Sequence, residues 1–253
     1  MQRQFQYNRR PLYDFSVVSF GSLIDNHTYF VQYLTMPQDW LVLLKTFRAI
    51  AVIRAAQYES GYQMAKAVAA GGMRLIEITW NSDRASTLIH HLRQDLPHCT
   101  IGTGTLLNET QLRDAIAADA QFLFTPHVVP RLIQLAVAQN IPIIPGALSP
   151  TEIVSAWQAG ASSVKVFPVQ ALGGAAYIQS LQAPLGGIPL IPTGGVTLAN
   201  AQSFLAAGAI AVGLSGQLFP RQAVADGNWE AIAQKAKVLV HGLTSPIAAD
   251  CEP

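Results

Sequence analysis

The sequence predicts a single-domain α/β fold, a (β/α)8 TIM barrel, from two observations. From Ala49 onward, short runs rich in β-branched residues alternate with alanine-rich segments of helical period, eight times, at about 21 residues per unit. In addition, 50% of the 253 residues are hydrophobic and only 12% are charged, so one domain can bury a large core. Eight parallel strands with right-handed crossovers close into a barrel whose active site lies at the carboxyl ends of the strands.

The elements can be assigned in order. A helix over residues 36–48 comes first, because Pro37 suits a first helical turn and Trp40, Leu44 and Phe47 share one face. The predicted strands are Ala49–Arg54, Arg74–Trp80, Thr100–Thr103, Gln121–Phe124, Pro142–Pro145, Ser163–Phe167, Ile188–Pro192 and Ala209–Gly213. The predicted helices between them are Ser60–Ala70, Arg84–Asp95, Asn108–Ala118, Val129–Gln139, Pro150–Ala159, Ala175–Gln182 and Leu198–Ala207, with Trp229–His241 closing the ring. An open doubly wound sheet is the alternative, but no strand leads into a G-x-G-x-x-G helix start with a distal acidic residue.

Two flanking segments are expected to lie outside the barrel, which we assign to residues 49–243. Residues 1–35 hold eight of the 21 aromatic residues and sustain no helical or strand period, so we interpret them as an appended segment and Met36 as the natural start. Arg9 and Arg10 precede no apolar run of useful length, which argues against a signal peptide. Residues 244–253 are a C-terminal tail.

Charge and composition exclude several classes of partner. The formal net charge is +1 without long runs of either sign, which argues against nucleic acid or an anionic membrane as the main partner. Cys99, in a predicted buried strand, and Cys251, in the tail, make neither a disulfide framework nor a metal site, and fit a reducing cytoplasm. No charged residue occurs from Val166 to Pro220, but glycines and prolines cut this stretch into pieces too short to cross a membrane. An anion bound there would meet no nearby carboxylate.

A lysine and a glutamate stand in predicted apolar strands. Lys165 lies between Val164 and Val166, and the loss of hydration there favours the neutral amine, which is a nucleophile toward carbonyl groups. The alternative is an edge-strand lysine with its head in water. Glu77 shares a strand face with Leu75 and is costly to bury unpaired. It is either a general acid/base or one partner of a structural ion pair with Lys165 or Arg54.

Further candidates follow the predicted strands. Arg54 is placed to clamp a carboxylate, or is a solvated loop arginine. In the run from Gly102 to Thr105 the glycines permit close backbone approach and either threonine can donate to a ligand oxygen, unless this is an ordinary turn. Thr193-Gly194-Gly195 follows the seventh strand and Ser215-Gly216 the eighth. Phosphate-binding barrels hold their anion at these two loops, although tight turns require glycine as well.

Taken together, LIEIT, IGTGT, FTPH, IPGALSPTE, VKVFPVQALGG and PTGGVTLAN, in this order, resemble the class I aldolases acting on 2-keto-3-deoxy-6-phosphogluconate (KDPG) and 4-hydroxy-2-oxoglutarate (KHG). The resemblance implies that Lys165 forms a Schiff base with pyruvate and that Glu77 is the acid/base. It implies that Thr105 and an arginine hold the carboxylate, and that Gly194 and Gly195 bind phosphate. The other substrate-binding positions that it implies are Pro126, Phe167, Thr193 and Ser215. It also implies a homotrimer, with no metal and no cofactor.

Three departures from the family pattern bear on specificity. Asn81 stands where some members carry the carboxylate-binding arginine, so that role is assigned to Arg54, which matches its place in other members. Ser215-Gly216 replaces an expected Gly-Ser, which shifts the hydroxyl by one residue. Val169-Gln170 replaces a pair that often contains glutamate. The alternative functions are a sugar-phosphate isomerase or epimerase that uses Glu77 as base, and a non-catalytic ligand-binding paralogue.

Overall fold

A computed structural model describes residues 37–244, and all structural statements below concern this range. The eight strands are β1 (Ala49–Ile53), β2 (Leu75–Thr79), β3 (Thr100–Gly104), β4 (Leu123–Thr125), β5 (Ile143–Ala147), β6 (Val164–Val166), β7 (Leu190–Pro192) and β8 (Val212–Leu214). The helices are α1 (Pro37–Phe47), α2 (Tyr58–Ala70), α3 (Ala85–Asp95), α4 (Glu109–Ala117), α5 (Pro130–Ala138), α6 (Pro150–Gln158), α7 (Ala175–Leu185), α8 (Ala201–Ala206), α9 (Arg221–Ala225) and α10 (Trp229–Thr244), with a 3₁₀ turn at Val169–Leu172.

The strands form one parallel sheet that closes on itself. Strands β1 to β6 each pair with the next strand in the chain, and β8 pairs with β1. The remaining gap between β7 and β8 is closed by a bridge between Thr193 and Gly213, and by a 3.0 Å hydrogen bond from the Ile210 N–H to the Leu190 carbonyl. The predicted (β/α)8 barrel is therefore confirmed, and the doubly wound alternative is wrong.

The buried hydrophobic residues form two sets, one on each side of the sheet. The outer set packs under the helices and includes Ile76, Ile78, Val164 and Val166. The inner set fills the amino-terminal half of the barrel and consists of Trp40, Leu44, Ile50, Leu75, Phe122, Phe124, Ile144, Ile191 and Ala211. Helix α1 closes that end of the barrel, because the Trp40 ring centroid lies 5.0 Å from that of Phe122 and its Nε1 donates to Ser163 Oγ at 3.1 Å.

The period of two along a strand decides which residues reach the carboxyl-end mouth. Leu75 belongs to the inner set, so Glu77, two residues further along β2, also faces the lumen. Ser163 contacts Trp40 inside the barrel, so Lys165 faces the lumen from β6. The apolar inner set therefore forms a floor beneath a lysine and a glutamate.

Several predicted boundaries shift in the structure. The predicted helix Leu198–Ala207 begins only at Ala201, because Asn200 and Thr197 bond each other: Thr197 N–H donates to Asn200 Oδ1 at 2.7 Å and Asn200 N–H to Thr197 Oγ1 at 3.1 Å. These bonds hold a turn before the helix. The prediction that Cys99 lies within a strand is wrong: it is buried but immediately precedes β3.

Two predictions concern residues at the ends of the chain. The appended segment 1–35 lies outside the described residues, as does the tail 244–253 apart from Thr244, which ends α10. Within residues 37–244, no helix combines the length and apolar character needed to span a membrane.

Candidate active site

Glu77 is the most deeply buried carboxyl of the lumen. Its side chain is 1% exposed, and Oε1 has no hydrogen-bond partner among the described residues. Burial raises the pKa of Glu77 above its ordinary value of 4.5, while the positive charges of Lys165 and Arg54 act in the opposite direction. The raised pKa favours the protonated form of the carboxyl, which is the form that can donate a proton.

The glycines of β3 make room for this carboxyl. A Cβ added to Gly104 would overlap Oε1 of Glu77, and one added to Gly102 would overlap the Phe122 ring. Gly104 therefore accommodates Glu77 of β2, and Gly102 accommodates Phe122, which immediately precedes β4. The Thr103 hydroxyl donates to the Ile78 carbonyl at 2.6 Å, which commits it to the sheet. Of the two candidate threonines, only Thr105 therefore has a hydroxyl that is still available to a ligand oxygen among the described residues.

Lys165 is enclosed by aromatic rings. It is 7% exposed, and Nζ lies 4.8 Å from the Phe167 ring centroid and 5.6 Å from that of Phe124. Its strand pairs with β5 on one side and β7 on the other, so the edge-strand alternative is wrong. Within the described range, the ion pairs closer than 4.0 Å do not include Lys165 or Glu77, which argues against a structural salt bridge between them.

The remaining strand-end candidates surround the same mouth. Arg54 directly follows β1 and is exposed, but its charge acts on Glu77. Thr105 follows β3 in a left-handed conformation with φ 62° and is half-buried. Pro126 follows β4, and its carbonyl lies against Gly146 of β5. Phe167, 37% exposed, covers Lys165 from the β6 end.

The loop after β7 is shaped by hydrogen bonds and by its glycines. Gly194 and Gly195 have φ of 85° and 95°, values that side chains disfavour. The Gly194 carbonyl accepts from the Gln170 N–H, and the Gly195 carbonyl accepts from Asn200 Nδ2, both at 3.1 Å. Buried Thr193 belongs to the bridge that closes the barrel. Turn geometry therefore requires these glycines, and their contact with phosphate remains a prediction.

The structure adds site residues that the sequence reasoning missed. Phe124 faces Lys165 from β4, and the Gln170 side chain occupies the place where Gly195 would carry a Cβ. Phe124 could have been recognised from the sequence as a lumen residue, since it stands two residues after Phe122 on the same face of the predicted strand. Gln170 was noted from the sequence as part of the altered Val169-Gln170 pair, but its packing against Gly195 was not predicted. Arg221, which lines a cavity with Arg54 and Ser215, gave no signal, because it belongs to a short helix without a detectable period.

A lysine amine and an unpaired carboxyl at the carboxyl end of a closed barrel define a class of enzyme. The amine is suited to attack a carbonyl, and the carboxyl is suited to move protons for the resulting adduct. This is the arrangement of a Schiff-base enzyme acting on a carbonyl substrate.

The comparisons identify the family. A model described as "Aldolase: KDPG and KHG aldolase" matches residues 42–235. The 2-dehydro-3-deoxy-phosphogluconate aldolase of Dickeya dadantii is 33% identical over 196 residues, covering 78% of this chain and 92% of that enzyme. The KHG/KDPG aldolase of Escherichia coli K12 is 32% identical over 200 residues, covering 79% and 94%. The chain therefore belongs to the KDPG and KHG aldolase family.

Solved structures agree with this assignment. The KDPG aldolase of Legionella pneumophila, with pyruvate captured at low pH as a covalent carbinolamine intermediate, superimposes with a TM-score of 0.74 at 27% identity, covering 81% of this chain and 98% of that one. The resemblance drawn from the sequence motifs is confirmed. The protein is an aldolase, a lyase that releases pyruvate through a Schiff base.

Proposed function

We propose that Lys165 is the nucleophile and Glu77 the acid/base of this aldolase. Its substrates are KDPG, KHG or both, and the aldehyde product is glyceraldehyde 3-phosphate or glyoxylate respectively. The observation that carries the proposal is the shared lumen: the charge of Lys165 acts on Glu77, yet neither side chain is bound in an ion pair within the described residues. Both groups are therefore free to react.

The reaction follows from these two groups. The Lys165 amine, in its neutral form, adds to the C2 carbonyl carbon and gives a carbinolamine. Glu77 donates a proton to the departing hydroxyl, water leaves, and a protonated imine forms. Glu77, now a carboxylate, accepts the C4 hydroxyl proton as the C3–C4 bond breaks, and the bonding pair moves into the imine. The aldehyde leaves, the enamine is protonated at C3, and water releases pyruvate and Lys165.

The strand-end residues supply binding. Arg54 and the Thr105 hydroxyl hold the keto-acid carboxylate, and a guanidinium is suited to do so through two parallel hydrogen bonds. Pro126, Phe167 and Thr193 line the mouth around the reacting carbons. A phosphate binds at Gly194, Gly195 and Ser215, in a stretch of the chain from Val166 to Pro220 that carries no carboxylate. Asn81 stands at the position where some family members carry the carboxylate-binding arginine, so the proposal gives this role to Arg54.

Two further proposals come from the resemblance and from composition. The active form is a homotrimer, and sedimentation or light scattering of the purified protein would test this. The two cysteines, neither of which belongs to a recognisable disulfide framework, favour the reducing cytoplasm as the place of action.

A pyruvate-release assay tests the substrate assignment. The panel is KDPG, KHG and unphosphorylated 2-keto-3-deoxygluconate, each assayed with the wild-type enzyme and with Lys165→Met, which is similar in volume and carries no amine. We expect the wild type to release pyruvate from at least one of the first two, and the variant to release none. Turnover by Lys165→Met would exclude Lys165 as the nucleophile. If the wild type released pyruvate from neither KDPG nor KHG, neither compound would be a substrate.

A further inference from the structure

A cavity of about 420 Å³ lies beside the barrel mouth, between the first and last units of the barrel. Its walls come from the turn between β1 and α2, from α2 itself, from the loop after β8 and from α9. Two arginines line it: Arg54 directly follows β1, and Arg221 is the first residue of α9. Polar groups of Gln57, Ser60 and Ser215 also line it. The volume falls within the range of small-molecule sites.

The charges of this cavity favour an anion. Neither the residues that line it nor the chain from Val166 to Pro220 includes an aspartate or glutamate. The ion pairs and side-chain hydrogen bonds of the described residues involve neither guanidinium, whereas the arginines at positions 84, 93, 113 and 131 all pair with carboxylates. With Arg54 assigned to the keto-acid carboxylate, the unpaired guanidinium of Arg221 is available to a second anion, and no carboxylate among the lining residues competes for it.

The cavity shares two residues with the proposed substrate site. One is Arg54, which is assigned to the keto-acid carboxylate. Ser215, proposed as a phosphate contact, lines the same cavity. Arg221 supplies on the next element a charge that a serine cannot.

We propose that Arg221 is a specificity-determining residue whose guanidinium joins Ser215, which lines the same cavity, in binding the phosphate monoester of the substrate. The inference rests on the proposed function, in which Arg54 holds the single carboxylate of KDPG. With that carboxylate assigned, the phosphate is the remaining anionic group of the substrate. The planar fork of arginine matches two phosphate oxygens, a geometry that a lysine ammonium does not reproduce.

The test compares Arg221→Gln with wild type on three substrates: KDPG, KHG and unphosphorylated 2-keto-3-deoxygluconate. The expected result is a KM for KDPG raised roughly 10- to 100-fold with kcat nearly unchanged, as for loss of one charge-assisted contact. The KM for the unphosphorylated acid should stay within about twofold, because it has no anion at that end. The inhibition constant of inorganic phosphate, used as a competitive inhibitor, should rise by about the same factor as the KM for KDPG.

Matched variants separate charge from geometry. Arg113→Gln makes the same change on exposed α4, whose arginine pairs with Glu109 at 3.9 Å and does not line the cavity, so all its kinetic constants should match wild type. Arg221→Lys keeps the charge without the fork and should recover only part of the KDPG affinity. Since Arg221 is exposed, we expect all three variants to fold with wild-type circular dichroism.

The outcomes separate this proposal from the mechanism on which it rests. Equal KM increases for KDPG and KHG would mean that Arg221 holds any distal anion, and an unchanged KM for KDPG would exclude it from the site; either result overturns the proposal. Reduction of the pyruvate imine by borohydride tests the mechanism independently. If wild type and Arg221→Gln trap pyruvate equally, the lysine chemistry stands whatever Arg221 does. If the wild type traps none, the proposed function itself fails.

Discussion

At the scale of single residues, the chemistry depends on the buried carboxyl of Glu77, whose Oε1 has no hydrogen-bond partner among the described residues. A hydrogen-bonded or ion-paired Glu77 would be more stable but less able to exchange protons with a substrate. Its neighbours Lys165 and Arg54 lower its pKa, but burial has the larger effect and raises it. The sequence predicted the position of this carboxyl in an apolar strand. It did not predict that Oε1 would lack a partner, because that depends on packing against Gly104 of β3.

Glu77→Gln should slow the reaction without preventing adduct formation. The amide keeps the shape of the side chain but cannot transfer a proton, and positioned acid/base groups contribute about 10²–10⁴-fold to rate. We therefore expect kcat to fall within that range, with slow but measurable imine formation from pyruvate. Single-turnover kinetics measure both. A kcat within twofold of wild type would exclude Glu77 as the acid/base.

The same variant should change how stability depends on pH. Because the folded-state pKa of Glu77 is raised, the folded protein binds more protons than the unfolded chain between pH 4.5 and that higher value. The contribution of Glu77 to the free energy of unfolding is therefore fully present below this window and lost as the pH rises through it. Glu77→Gln should remove that loss. Urea unfolding of both proteins across pH 4 to 8 checks this, and a stability difference independent of pH would contradict it.

At the scale of elements, strand β3 shows how glycines shape the lumen. Its sequence suggested that the glycines admit a ligand or form a turn, whereas in the structure they admit Glu77 from β2 and Phe122, which immediately precedes β4. A sequence pattern marks a glycine as permissive but does not say what approaches it. The positions of the eight strands followed from their apolar runs. The 3₁₀ turn and α9 did not, since four or five residues are too few to show a period.

Gly104→Ala should damage catalysis more than folding. The added methyl would overlap Oε1 and Cδ of Glu77, so the carboxyl end of this rotatable side chain would have to shift. Displacement of about 1 Å at a catalytic group can cost about 10²-fold in rate, so we expect kcat to fall by that order while the thermal midpoint changes by only a few degrees. The matched control is Gly187→Ala, where nothing lies within 4 Å of the added carbon. Equal activity of the two variants would contradict the account of Gly104.

At the scale of the whole molecule, the chain builds its site on a closed and plugged barrel. Among residues 37–244, helix α1 and the inner apolar set fill the amino-terminal half, and the proposed site lies at the carboxyl-end mouth. Repeated units and the lack of a dinucleotide-binding motif were enough to predict this architecture from the sequence. The cavity between the first and last units could not be predicted, because it forms only when β1 pairs with β8 and brings Arg54 near Arg221.

A chain that begins at Met36 should fold and retain activity. Residues 1–35 differ in composition from the barrel, and the family match begins only at residue 42. We expect the thermal midpoint of the shortened chain to lie within a few degrees of the full-length value and kcat/KM within about twofold. Scanning calorimetry and the pyruvate-release assay measure these quantities. A clear loss in either would show that the segment belongs to the functional fold.

Borohydride reduction in the presence of pyruvate tests the central assignment most directly. Reduction converts an imine into a stable secondary amine, so the wild-type enzyme should lose activity and gain a three-carbon adduct on the peptide that contains Lys165, as read by mass spectrometry. Lys165→Met should stay folded and gain no adduct. An adduct on any other lysine of the wild-type chain, or full turnover by Lys165→Met, would contradict the role of Lys165 in this barrel.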